Sequence, residues 1–190
     1  MSSSRTDKSK IDLTKLRFKK LTKEDVLHMD CTDDDGKDSQ CLQYFLDKRA
    51  LKYQNSHLGM TYVVFYNRKP IGYITLSTSS IHKDEIYKKT RPSARDKDAP
   101  YFPAMIIVNF AIDKKLRKCG FGQYVMLWCS GFARIMAQKI GCRYIILFAK
   151  GAVPFYKKHK FQVAELQNRR KFKLMYADLF PEKKRGERKH

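Results

Sequence analysis

The stretch Ile107–Met126, IVNFAIDKKLRKCGFGQYVM, decides how this chain reads. Its first six residues complete a nearly unbroken apolar run, Pro103 to Ile112, which predicts a central strand buried on both faces. A basic turn, DKKLRK, follows. Gly120-Phe121-Gly122 then opens a well-patterned helix predicted over Phe121–Ile140, with Gly141 as its stop. Glycines lack a Cβ, so their backbone can approach a bound group closely. The free N–H groups of a first helical turn, with the positive end of the helix dipole, suit a phosphate. Arg117 and Lys118 add charge just before that point. Taken alone, such a glycine pattern is a turn that binds nothing. It is not a Walker loop, because no Gly-Lys-Ser/Thr follows, and as a dinucleotide fingerprint it is incomplete.

Outward from this stretch, the chain alternates strands and helices. Leu16–Leu21 places apolar residues on one face and basic ones on the other, a strand with one wet face. Thr22 with Asp25 is expected to cap a short helix ending near Met29. An acidic loop with Gly36 leads to a second helix predicted from about Ser39 to Ser56, where Leu42, Phe45, Leu46, Arg49 and Tyr53 keep helical spacing. Thr61–Tyr66 and Ile71–Ser77 are β-branched and aromatic runs, joined as a hairpin through Asn67-Arg68-Lys69-Pro70. The charged connection Ile81–Pro100 is expected to be a functional or mobile loop. Beyond the long helix come a buried strand (Arg143–Ala149), a short helix (Val153–His159), a strand (Phe161–Glu165) and a last strand carrying Phe172, Leu174 and Tyr176. That order predicts one mixed α/β domain over residues 15–180. The polar, basic, aperiodic ends, residues 1–14 and 181–190, are expected to be disordered tails.

Composition supports a packed domain and adds a charge signal. The 190 residues are 43% apolar, enough for a core. Forty Lys and Arg against nineteen Asp and Glu give a net charge of +21, with a pI near 9.8. Such a charge favours polyanions, nucleic acid before anionic membrane, with a merely solubilising basic surface as the plainer alternative. The five cysteines, Cys31, Cys41, Cys119, Cys129 and Cys142, show neither paired nor zinc-like spacing, so reduced thiols and no metal are expected. The start of the sequence lacks a signal-peptide core, and no apolar run reaches membrane-spanning length. A soluble, cytoplasmic protein without a transmembrane segment is the expectation.

Arg117-x-x-Gly120-x-Gly122, lying between a buried strand and a long helix, resembles the Arg/Gln-x-x-Gly-x-Gly/Ala motif with which GNAT-superfamily acetyltransferases hold the pyrophosphate of coenzyme A. Ala152-Val-Pro-Phe155-Tyr156, followed by Phe161, resembles the family's later Ala-x-x-Phe-Tyr segment. Lys160 stands where the family usually has Gly. Asp30-Cys31, Gln43–Leu46, Ala50-Leu51, Thr61–Val64 and Gly72–Ser77 are similar to the branch that contains toxins acetylating aminoacyl-tRNA. The resemblance covers about Leu16 to Asp178. It implies a single-domain GNAT fold, with a mixed, mostly antiparallel sheet of six to seven strands flanked by about four helices. It implies acetyl-CoA as co-substrate, with Arg117, Lys118, Cys119, Gly120, Phe121, Gly122 and Gln123 around the pyrophosphate. Phe110, Ala111 and Ile112 would line the pantetheine arm. Tyr156 would be the general acid that protonates the leaving thiolate.

The residues themselves say what that chemistry needs. A phenol with an ordinary pKa near 10 is protonated at pH 7 and qualifies as an acid without tuning. Without the resemblance, Tyr156 reads as a core aromatic beside Phe155. No general base is identified: the histidines are scattered, and Asp113 matches a position that usually serves structure. The leading acceptor is the α-amine of an aminoacyl-tRNA, with Arg169, Arg170, Lys171 and Lys157 as candidate contacts to its phosphates. A protein or small-amine acceptor is the second reading. A non-catalytic basic module that binds RNA or ribosomes is the third. A homodimer is compatible with all three.

Overall fold

The structure is a computed structural model and describes residues 11–25, 27–34, 36–87, 100–166 and 172–181. In chain order its elements are β1 (Leu16–Lys20), α1 (Leu42–Tyr44), a π-helical segment (Phe45–Arg49), α2 (Ala50–Asn55), β2 (Met60–Tyr66) and β3 (Lys69–His82). Then follow β4 (Tyr101–Ile112), α3 (Phe121–Ile140), β5 (Tyr144–Ala149), α4 (Val153–Lys158), β6 (Gln162–Val163) and β7 (Lys173–Asp178). The seven strands form one sheet in the order β1-β2-β3-β4-β5-β7-β6. This is the mixed, mostly antiparallel α/β architecture expected. The expected tails lie largely outside the described residues, as do positions 88–99 of the charged connection. The chain divides into two compact units, residues 1–75 with 109–125 and residues 76–108 with 126–190.

In the first unit, β1 pairs antiparallel with β2 from Leu16↔Tyr66 to Lys20↔Tyr62. Arg17, Lys19 and Lys20 stand exposed on this edge strand, where charge discourages pairing with another chain. The β2–β3 turn is tighter than the sequence suggests. Asn67 and Arg68 both take positive φ, 50° and 64°, the two-residue hairpin turn whose twist matches the strands. Lys69 and Pro70 therefore belong to β3. Gln43 and Tyr44 donate backbone N–H groups to Asp38 at 3.1 and 2.7 Å, so the second helix starts at Leu42 rather than Ser39. Phe45, Leu46 and Ala50 are buried with Val63 and Tyr73 in one core. The Tyr73 ring stacks on Phe45 at 6.4 Å, and its hydroxyl donates to the Leu42 carbonyl at 2.7 Å.

The short helix expected after Thr22 is absent among the described residues. Asp25 accepts from the Thr22 N–H at 2.8 Å and its hydroxyl at 2.9 Å, and from Lys19 at 2.7 Å. Local side-chain bonding of this kind competes with helix.

In the second unit, β4 and β5 are parallel from Ala104↔Tyr144 to Ile107↔Leu147, a pairing that needs a long crossover such as α3. β7 lies antiparallel between β5 and β6. Tyr144, Tyr176, Ile81, Ile86, Ile146 and Leu174 are buried together, with the rings of Tyr144 and Tyr176 edge-on at 5.9 Å. Arg143 closes the ends of β5 and β7 on Asp178, with both nitrogen–oxygen distances 3.0 Å. The predicted Phe161–Glu165 strand is shorter, because Phe161 instead finishes α4. Its N–H donates to the Tyr156 carbonyl and that of Lys160 to the Lys157 carbonyl, both at 3.1 Å, with Lys160 at φ 66°. That is the left-handed helix stop usually filled by glycine.

Candidate functional site

The end of β4 is fixed by a close passage of β3. A Cβ on Gly72 would lie 2.5 Å from the Ala111 carbonyl oxygen and 2.8 Å from Ile112 Cδ1, so only glycine lets the two backbones come this near. Ala111 and Ile112 are buried and Phe110 is partly so. Asp113 follows. Its N–H donates to the Ile71 carbonyl at 2.8 Å, and its carboxylate accepts from Lys115 N–H at 2.9 Å and Asp30 N–H at 3.1 Å. This places Asp113 as the cap of a short 3₁₀ turn, Lys114–Leu116, and ties that turn to the acidic loop.

Next comes the glycine turn. Lys118 has φ 63° and Gly120 φ 101°, two left-handed residues that reverse the chain into α3. Gly120 needs its freedom for that φ, since a side chain there would meet only Ile11 at 3.5 Å and Gln123 at 3.8 Å. Phe121 is buried and packs edge-on against Tyr66 at 5.0 Å, which anchors the first residue of the helix. Lys118, Cys119 and Gln123 are exposed, and Gly122 sits in the first turn. Twenty helical residues stand behind these N–H groups, so the positive end of a full helix dipole points out at the turn.

Arg117 is turned the other way. Its Nε donates to the Ile112 carbonyl at 3.2 Å, one Nη to the Thr32 carbonyl at 2.5 Å, and the other to Asp34 Oδ1 at 3.2 Å. Thr32 and Asp34 are partners of Arg117 that the sequence reading missed. They lie 85 and 83 positions away, and nothing local to either end signals the pairing. Cys31, on the same loop, is buried, and that burial, aided by the Asp113 charge, pushes its thiol up to about 12. It is an inert core thiol. All five cysteines are free.

In the second unit Tyr156 sits in α4, partly buried, with its ring edge-on to Phe155 at 5.3 Å and to Phe161 at 5.9 Å. Burial pushes its phenol up to about 12. The phenol therefore stays protonated through the whole physiological range, with a wider margin than an ordinary tyrosine has. His159 packs on Phe155 at 4.7 Å, and burial lowers its pKa, which favours the neutral ring. Lys157 is exposed. Arg169, Arg170 and Lys171 lie outside the described residues. Among the described residues, no group of three or more His, Cys, Asp or Glu is placed to hold a metal ion. No helix there is long and apolar enough to cross a membrane.

A seven-stranded mixed sheet whose β4 end leads through a glycine turn into a long helix is a GNAT-type fold. Among solved structures, the chain is similar to a Tyr-to-Phe mutant of KacT, with 16% identity over 87% of this chain and 95% of that one and a TM-score of 0.71. It is also similar to AtaT complexed with acetyl-methionyl-tRNAfMet, with 17% identity, 86% and 94% coverage and a TM-score of 0.70. AtaTR bound with acetyl-CoA gives 19% identity, 87% and 95% coverage and a TM-score of 0.68. No protein-family model and no curated protein matches the sequence.

Proposed function

We propose that this protein moves the acetyl group of acetyl-CoA to a primary amine, and that the amine is the α-amino group of an aminoacyl-tRNA. The observation that carries the reading is the turn at Lys118–Gly122, where two left-handed residues and the start of a twenty-residue helix make an anion site suited to a pyrophosphate. Lys118 is exposed beside it and supplies positive charge. The end of β4, residues Phe110 to Ile112, is held by Gly72 and Asp113 as a rigid backbone along which a pantetheine arm would lie. Preorganised backbone N–H groups near a thioester oxygen are typically a large catalytic contribution.

The transfer breaks a C–S bond and forms a C–N bond. The departing thiolate needs a proton, which the Tyr156 phenol is in a state to give. The amine sheds its own proton to solvent, and an α-amine with a pKa of about 8 is partly neutral at pH 7 without a dedicated base. The tRNA part draws on the net charge of +21 and on the likeness to AtaT complexed with acetyl-methionyl-tRNAfMet. The test is incubation with labelled acetyl-CoA and purified tRNA. Aminoacylated tRNA should take up label and deacylated tRNA should not, because only the former offers a free α-amine. Labelling of peptide or polyamine with none in tRNA would redirect the acceptor, and no transfer to any amine would end the enzyme reading.

A further inference from the structure

We propose that Arg117 is a positioning residue that locks the Asp30–Asp34 loop onto the end of β4, and is not a ligand of the donor's phosphates. A guanidinium is a planar fork of five N–H donors, suited to bridging several acceptors at once. Here three of them go to three different places: the last carbonyl of β4, the carbonyl of Thr32, and the Asp34 carboxylate. Two of these acceptors are backbone carbonyls. If the side chain swung out to a phosphate, both would lose that donor, a cost that a surface arginine does not face. The guanidinium end is also held in place, since the Arg117 side chain is only 26% exposed whereas Asp34 is 78% exposed.

The loop is built to receive this clamp. Thr32 donates its N–H and hydroxyl to Asp30 Oδ1 at 2.9 and 2.5 Å, which turns its own carbonyl toward Arg117. Two further bonds run alongside, from Asp30 N–H to Asp113 at 3.1 Å and from Lys114 N–H to the Asp30 carbonyl at 2.7 Å. The residue that opens the glycine turn therefore also sets the loop. Order in the loop and binding at the turn are coupled through one side chain, and the phosphate charge falls to exposed Lys118.

The donor arm of the test rests on the acetyl-CoA reading, and the exchange arm does not. Hydrogen exchange is measured on the ligand-free full-length protein, its Arg117→Lys and Arg117→Ala variants, and Asp34→Asn. Both Arg117 variants should speed exchange of the Asp30–Asp34 amides by about 10-fold or more, the loss one charged hydrogen bond corresponds to. Lysine should not rescue, because a single ammonium cannot span three acceptors. Asp34→Asn should move the same amides in the same direction by less, and it stands in if the Arg117 variants do not fold. Calorimetry then compares acetyl-CoA with S-acetyl-pantetheine, which lacks the nucleotide and its phosphates. Affinity for both should fall by the same factor in the Arg117 variants. Unchanged loop exchange, or a loss confined to acetyl-CoA and restored by lysine, would overturn the proposal. If the wild type binds neither donor, the acetyl-transfer reading fails while the exchange result still decides the clamp.

Discussion

At the residue scale the decisive question is what a tyrosine hydroxyl is for. Phe155 and Phe161 surround the Tyr156 ring as they would any core aromatic, yet the same burial keeps its proton in place up to about pH 12. Tyr156→Phe keeps the ring and removes only that proton. The expected result is a kcat lower by roughly 10²-fold with acetyl-CoA affinity unchanged, the signature of a lost general acid. The pH profile of the wild type gives a second reading. The rate should climb as the acceptor amine loses its proton, with an apparent pKa of about 8. It should then stay level past 10, the ordinary phenol value, because the raised Tyr156 still carries its proton there. A fall centred near 10, or a Phe variant with wild-type kcat, would return Tyr156 to a packing role.

At the element scale, helix ends and hairpin turns carry residues whose backbone conformation runs against their chemistry. Lys160 holds the left-handed stop of α4, the place where a glycine is free of strain. A left-handed L-residue costs about 1–2 kcal/mol. Glycine gives back about half of that through its greater freedom in the unfolded chain. Lys160→Gly should therefore raise the urea-derived stability by about 0.5–1 kcal/mol, while Lys160→Ala, which keeps a Cβ, should not. Equal effects of the two variants would show that the charge, not the backbone, sets stability at this position. Arg68 raises the same point at the β2–β3 turn, where φ is 64°.

At the scale of the whole molecule, the buried thiols and phenols share one direction of shift. Burial pushes the thiols of Cys31 and Cys129 up from 9.0 to about 12, and the phenols of Tyr144 and Tyr156 up from 10.0 to about 12. Tyr73 is raised further still, for the same reason. A group raised on folding contributes stability that is complete below its unfolded pKa and is lost as pH rises toward the folded one. The urea midpoint should thus hold level from pH 7 to about 8.5 and fall between about 9 and 12. Lysine deprotonation above about 10.4 relieves repulsion within this basic chain and works the other way, so the thiol-driven loss near pH 9–10 is the cleanest part. A midpoint unchanged at pH 11 would sink the argument.

Much of this architecture follows from the sequence itself. The β4 strand, the α3 helix with its bounds, the hairpin and the glycine turn are legible because periodicity, β-branching and positive φ leave local marks on residue choice. Gly120 is such a mark. Lys118 and Lys160, also left-handed, are not, since lysine carries no conformational preference that would betray them. The helix expected after Thr22 fails for a related reason: Asp25 satisfies the turn from its own side chain, which a capping pattern resembles. Which atoms Arg117 holds, why Gly72 must be glycine, and why the Cys31 thiol is silent were decided only by the tertiary fold. Each depends on groups roughly 40 to 85 positions apart, brought together by strand pairing and burial. A contact at that separation is fixed by the sum of the packing, and no short stretch of residues encodes it.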